Sequence, residues 1–166
     1  MAKLYMGFDA GTQSVKVAVY DENFNPVASH SLPTTLHYPQ PGWVQMNIDE
    51  FLNITVECMK KTVEAIKGKG YSPSDIAAVM GDGIICGICG VDENGKAVTP
   101  YINYLDSRTQ ADVDAINAKN LDIWGRETGN PEANCMFPAM FARWFLANSE
   151  DFRKKGCLLY TSDAAD

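Results

Sequence analysis

A short polar turn between two apolar segments contains the residues best suited to bind an anion. Residues 7–16 have the sequence GFDAGTQSVK. Gly11 lacks a Cβ and lets backbone N–H groups approach a phosphate, and the hydroxyls of Thr12 and Ser14 add hydrogen-bond donors. Asp9 can hold Mg²⁺, usually through waters, and the metal removes its repulsion of the phosphate. The spacing therefore predicts a phosphate and magnesium site.

An ordinary hairpin turn is the alternative interpretation of the same residues. Asp, Gly, Thr and Ser all favour turns, and short motifs match by chance. Lys16 fits either interpretation, because it can neutralise phosphate charge or be a solvated strand residue. Spacing alone leaves both open.

Three strand-like segments position this turn. Leu4–Phe8, Ser14–Tyr20 and Pro26–Leu32 are separated by two polar turns. Valine occupies alternate positions in the second segment, which is the period of a sheet with one buried face. The opening therefore predicts an antiparallel meander.

A helix is predicted after the proline-containing loop that follows the meander. Asn47 is a good N-cap, and Glu50 has capping-box spacing from it. Apolar residues then recur at helical spacing as far as Ile66. Gly68 and Gly70 are expected to end the helix.

The rest of the chain alternates between short strands and helices. In chain order we predict a strand Ile76–Met80, a bend Gly81–Gly83, a strand Ile84–Val91, a hairpin turn Asp92–Lys96, an extended segment Tyr101–Leu105, a helix from Asp106 to Ala118 and a helix Pro138–Asn148. This order predicts an α/β fold with a mixed sheet.

Composition excludes several classes of protein. The 166 residues correspond to about one domain. Lys and Arg number 14 against 21 Asp and Glu, a net charge of −7, and no basic run occurs. Nucleic acid is therefore not an expected partner. No apolar run has the length of a membrane span, so we expect no membrane partner either.

The cysteines favour a structural role over a redox or metal role. Five are scattered along the chain, an odd number that fits a reducing cytoplasm. Cys86 and Cys89 have C-x-x-C spacing, but a zinc ribbon needs a second pair. On the predicted strand, positions three apart face opposite sides. Buried small apolar side chains are therefore the preferred interpretation.

Four separated segments make the chain similar to the FGGY family of carbohydrate kinases, in the actin, Hsp70 and sugar-kinase superfamily. They are residues 7–16, residues 41–45 (PGWVQ), residues 91–109 and residues 128–131 (TGNP), in that order. The resemblance covers residues 4–156. It implies a partial N-terminal FGGY domain over residues 1–156, with an incomplete actin-like ATPase (ribonuclease H-like) fold and a mixed five-stranded sheet.

The resemblance also implies a cytoplasmic enzyme that uses ATP and Mg²⁺ to phosphorylate a hydroxyl of a small sugar or polyol. The residues it implies for the ATP phosphates are Asp9, Gly11, Thr12, Ser14 and Lys16, with Asp9 at the metal. Those it implies for the substrate are Gly83, Ile85, Cys86, Tyr104, Asp106 and Arg108. From its position, Asp106 is equally well interpreted as a helix N-cap. The resemblance allows a homodimer of the full-length protein.

The xylulose-kinase branch is the one that the chain resembles most, and this resemblance favours a ketopentose such as xylulose as the substrate. The chain nevertheless departs from that branch. That branch has Gly-Gln-Met-His-Gly where residues 83–87 are GIICG, so the polar groups that contact the sugar are missing. The family's Lys before the tryptophan of the last helix has no match beside Trp144. A non-catalytic actin-like module that binds a nucleotide or sugar is therefore the alternative.

Residues 157–166 are similar to a translated sequencing adapter, which predicts a non-native tail. A genuine strand after the last helix is the alternative. The resemblance places the catalytic base, an Asp, near the end of the first domain, and we expect it beyond the end of this chain. We therefore expect the chain alone to have no kinase activity.

Overall fold

A computed structural model describes residues 3–156 and 158–160. The strands are β1 (Leu4–Ala10), β2 (Ser14–Tyr20), β3 (Pro26–Pro33), β4 (Gln45–Met46), β5 (Ile76–Gly83), β6 (Cys89–Val91), β7 (Tyr101–Ile102) and β8 (Leu158–Tyr160). The helices are α1 (Ile48–Lys67), α2 (Gln110–Asn117), α3 (Pro138–Asn148) and α4 (Glu150–Lys155), with a 3₁₀ turn at Pro73–Asp75 and a π turn at Trp124–Thr128. In the described part of the chain, no helix is both long and apolar enough to span a membrane.

The chain forms two compact units. One combines the N-terminal segment up to Leu36 with Asp49–Ile84, and the other combines His37–Ile48 with the segment that begins at Ile85. The first unit contains a mixed sheet in the order β3-β2-β1-β5, in which β1, β2 and β3 are antiparallel and β5 is parallel to β1. The predicted meander and mixed sheet are therefore confirmed.

Helix α1 closes one face of this sheet. It begins directly after Asn47 and ends directly before Gly68, as predicted. Its stripe of Thr55, Cys58, Thr62 and Ile66 is buried, and Cys58 and Ile66 belong to one core with the apolar side chains of β1 and β2. The alternate residues of both strands therefore point to the opposite face of the sheet.

The expected five-stranded sheet is wrong for the described residues, where the mixed sheet has four strands. The expected bend at Gly81–Gly83 is also wrong, because these residues continue β5 beside β1. The ring of Phe8 lies over Gly81, where an added Cβ would come within 2.1 Å of it. Gly81 therefore allows close packing against Phe8 and does not form a turn.

In the second unit, β4 pairs with β7, and β6 pairs with β8. The predicted strand Ile84–Val91 is shortened to β6, because Cys86 has φ 60° and this left-handed conformation interrupts an extended strand. The extended segment at Tyr101 ends at Ile102. Phe141 and Phe145 of α3 are buried with Ile88 and Ile102.

The helices of the second unit differ in how well they were predicted. Helix α3 has the predicted bounds Pro138–Asn148. Helix α2 begins at Gln110 with Thr109 as its N-cap residue, so the prediction of a start at Asp106 is wrong. Helix α4, capped by the Ser149 side chain, was not predicted. The predicted tail, residues 157–166, lies outside the described residues except for the backbone of β8, and its origin stays a prediction.

Candidate phosphate and metal site

The turn between β1 and β2 has the geometry of a tight hairpin with little room for a side chain at Gly11. The Gly11 N–H donates to the Ser14 carbonyl at 3.1 Å. A Cβ on Gly11 would lie 3.0 Å from that carbonyl oxygen and 3.5 Å from Oδ1 of Asp9. Any other residue would therefore press on the Ser14 carbonyl and fill the space beside the Asp9 carboxylate.

Thr34 fixes the orientation of the turn's peptide groups. Its hydroxyl donates to the Thr12 carbonyl at 2.6 Å, and its N–H donates to the Gln13 carbonyl at 3.1 Å. In a trans peptide the C=O and the following N–H point in opposite directions. The N–H groups of Gln13 and Ser14 therefore point away from Thr34, and N–H groups that share one side of a turn can bind an anion. Thr34 could not be predicted as part of this turn, because it directly follows β3 and is distant from the turn in the chain.

Asp9 and Lys16 are cross-strand partners on the sheet face opposite α1. They are directly paired between β1 and β2, and Lys16 Nζ lies 3.3 Å from Oδ2 of Asp9. Both side chains are about half exposed, at 48% for Asp9 and 64% for Lys16. Lys16 is therefore both a solvated strand residue and a cation placed at the predicted metal ligand.

The donor chemistry of this turn fits a magnesium ion. Carboxylate oxygens are ligands that Mg²⁺ prefers, and it commonly binds through one or two carboxylates together with phosphate oxygens and waters. The missing Cβ of Gly11 leaves space beside both oxygens of Asp9. Within the described residues there is no group of three or more His, Cys, Asp or Glu placed to hold a metal. What the turn itself offers a metal ion is the Asp9 carboxylate and the space beside it.

Asp106 and Arg108, predicted as substrate contacts, form a buried ion pair in the second unit, and their contact with a substrate stays a prediction. Arg108 donates from Nε to Oδ1 of Asp106 at 2.9 Å and from Nη2 to Oδ2 at 2.8 Å. The Val44 N–H also donates to this carboxylate, at 2.6 Å. The side chains are 0% and 2% exposed. The pair therefore joins the loop before α2 to the segment that leads into β4, and Asp106 is not the N-cap of α2.

Two tryptophans enclose the Arg108 guanidinium. Its carbon lies 4.0 Å from the ring centre of Trp43 and 4.8 Å from that of Trp144. The two rings meet edge to face at 5.3 Å. Gln45 accepts a further hydrogen bond from Nη2 at 3.1 Å. Arginine is suited to this position, because its planar cation stacks on aromatic faces while it pairs with a carboxylate.

The other predicted substrate residues are more accessible. Gly83 ends β5, Ile85 is 63% exposed, Cys86 is half-buried, and Tyr104 is 36% exposed. Gly87 is a packing position, where an added Cβ would lie 1.7 Å from the Tyr101 hydroxyl oxygen. Substrate contact by Gly83, Ile85, Cys86 and Tyr104 therefore stays a prediction.

Two of the four described cysteines, Cys58 and Cys89, are buried as predicted, whereas Cys86 and Cys135 are half-buried. Cys58, Cys86, Cys89 and Cys135 are free thiols in the described part of the chain. Burial raises the pKa of the Cys89 thiol, and burial is also the largest cause of the raised pKa of Cys58. Both thiols therefore stay protonated, which makes them poor nucleophiles and metal ligands.

Comparison with solved structures first gives the fold. The fold is that of actin-like ATPases of the sugar-kinase type. The xylulose kinase of Rhodospirillum rubrum superposes with a TM-score of 0.84 at 21% identity, over 96% of this chain and 33% of that one. The Plasmodium falciparum glycerol kinase with ADP gives 0.83 at 23% identity, over 98% and 33%.

Sequence comparison then gives the family. The profile of the FGGY family of carbohydrate kinases, N-terminal domain, matches residues 4–164, and the chain belongs to this family. A probable glycerol kinase of Caenorhabditis elegans is 29% identical over 91% of the chain, and glycerol kinase 2 of Thermotoga maritima is 30% identical over 92%. The chain spans about a third of these curated relatives, 31% and 30% of their lengths.

Proposed function

We propose that this chain provides the phosphate- and magnesium-binding turn of an ATP-dependent kinase that phosphorylates a hydroxyl of a small sugar or polyol. The observation that supports this proposal most directly is the β1–β2 turn. Gly11 leaves space beside the Asp9 carboxylate, and Thr34 holds two carbonyls so that the next N–H groups point away from it. Membership of the FGGY family gives the reaction class.

Each residue of the turn has a distinct part in this proposal. The N–H groups of Gln13 and Ser14 and the Thr12 hydroxyl bind phosphate oxygens, and Asp9 holds the metal. Lys16, already beside Asp9, limits the negative charge around the phosphates. Bound Mg²⁺ would neutralise charge on the terminal phosphates and so favour transfer. The proton of the substrate hydroxyl goes to a base that we assign to no described residue.

Glycerol and xylulose are the substrates we propose first. Glycerol is named by the curated relatives, which are about 30% identical. A ketopentose is named by structural neighbours that share the fold. Ile84 occupies the position where the xylulose-kinase branch has Gln, and an apolar side chain forms no hydrogen bond with a sugar hydroxyl. This favours a substrate with few hydroxyl contacts at that position.

The test is ATP-dependent phosphorylation of a polyol and ketose panel by the polypeptide that the complete gene encodes. We expect ADP release and a phosphorylated product with at least one of glycerol and xylulose, and loss of turnover in Asp9→Asn. The matched control, Glu22→Gln, removes a carboxylate from the exposed turn after β2 and should keep full activity. A folded protein that phosphorylates no member of the panel would contradict the proposal.

A non-catalytic module that binds a nucleotide or sugar is the second candidate, and the apolar segment at Ile84–Cys86 is the observation that favours it. The same panel separates the two, because a binding module gives saturable binding in calorimetry without product.

A further inference from the structure

Asp82 lies beside the proposed metal ligand and has no part in the function described so far. It is the residue of β5 that is directly paired with Asp9 of β1. Because the two strands are parallel and in register at this point, both side chains are on the same face of the sheet. We propose that Asp82 is a second carboxylate ligand for the divalent cation at the β1–β2 turn. This inference rests on the proposed function, since it deepens the same site.

The pairing places three charges in one row across the sheet. Asp82, Asp9 and Lys16 are consecutive neighbours on β5, β1 and β2. Adjacent strands lie about 4.8 Å apart, and metal–oxygen bonds are about 2.0–2.6 Å long. One cation between Asp9 and Asp82 can therefore contact a carboxylate oxygen from each.

Charge also argues for a cation in this place. Lys16 lies against Asp9 at 3.3 Å, so one positive charge faces two negative ones in the row. Like charges directly opposite each other on neighbouring strands are destabilising, and a bound polyphosphate would add to the repulsion. A divalent cation between the two carboxylates would attract both of them and the polyphosphate, and so remove this repulsion.

The local structure holds Asp82 in register. The Phe8 ring packs over Gly81, which has no Cβ to obstruct it. On the other side of Asp82, the Gly83 N–H donates to Oδ1 at 2.8 Å. That hydrogen bond orients the carboxylate and leaves its second oxygen for a cation. An asparagine keeps the acceptor for Gly83, so Asp82→Asn removes the charge and conserves this hydrogen bond.

The experiment is a titration with Mn²⁺ alone, followed by the electron paramagnetic resonance of the free ion, on the full chain and its variants. Asp82→Asn is expected to weaken Mn²⁺ binding by about tenfold or more, since the number of ligand charges sets cation affinity. Asp9→Asn should abolish Mn²⁺ binding. Asp82→Glu should bind Mn²⁺ with most of the affinity that Asp82→Asn loses. The control Glu22→Gln should bind as the unmodified protein does.

A second measurement distinguishes a ligand from a structural aspartate. In EDTA, Asp82→Asn is expected to raise the melting temperature, because the repulsion between the two carboxylates is removed. Added Mn²⁺ should then raise the melting temperature of the unmodified protein more than that of the variant. If Asp82 only accepted the Gly83 hydrogen bond, Asp82→Asn would give neither effect.

The outcomes separate this inference from the proposed function. If Asp9→Asn loses Mn²⁺ and Asp82→Asn binds it with unchanged affinity, the role of Asp82 is overturned and the proposed site stands. If the unmodified protein binds no Mn²⁺, or if both variants bind it unchanged, the inference and the proposed metal site fail together.

Discussion

At the scale of single residues, the Asp106–Arg108 pair shows which contacts could not be predicted from the sequence. The sequence left Asp106 open between a substrate contact and a helix N-cap, and the structure pairs it with Arg108. Its burial comes from Val44, Trp43 and Trp144, which are distant in the chain. Position alone could therefore not separate a ligand contact from a structural ion pair.

Removing one charge of this pair should cost much stability. We expect Asp106→Asn to lower the free energy of unfolding by about 3–5 kcal/mol, because the Arg108 charge is left buried and poorly compensated. Asp112→Asn is the matched control, since Asp112 pairs with Arg143 on the surface of the same unit, where a pair contributes about 0–1 kcal/mol. Urea denaturation followed by tryptophan fluorescence measures both. Equal effects of the two variants would contradict the structural role of Asp106.

At the scale of elements, prediction succeeded where the signal was local. The valines of β2 alternate and the apolar stripe of α1 has helical spacing, and both elements formed as expected. The strand β5 was predicted too short, because glycine usually favours a bend. Here Gly81 is required by the Phe8 ring of the neighbouring strand, and that requirement is visible only when the strands are paired.

Gly81→Ala therefore tests why β5 runs as far as it does. The added Cβ would overlap the Phe8 ring, and overpacking of this kind costs about 1–3 kcal/mol. Gly7→Ala is the control, because a Cβ on Gly7 meets nothing within 4 Å. The measurement is urea denaturation followed by circular dichroism, with amide hydrogen exchange in β5. The interpretation is wrong if Gly81→Ala is as stable as Gly7→Ala.

At the scale of the whole molecule, the fold class and the family followed from a few short segments, and both were confirmed. The site at Asp9 was predicted from residue types, since glycine, hydroxyls and a carboxylate are what a magnesium–phosphate site needs, and it stays a prediction. The positions of Thr34 and Asp82 beside this turn could not be predicted, because they depend on pairing of strands rather than on spacing along the chain. The number of strands in the sheet was missed for the same reason.

The most direct test of the account is calorimetric titration of the complete-gene protein with ATP, with and without Mg²⁺. The account predicts that Mg²⁺ strengthens ATP binding to the unmodified protein and that Asp9→Asn loses about tenfold or more of the magnesium-dependent affinity, about 1.4 kcal/mol or more. Glu22→Gln should bind as the unmodified protein does. Undiminished magnesium-dependent ATP binding by Asp9→Asn would contradict the claim that this turn binds a metal-bound nucleotide.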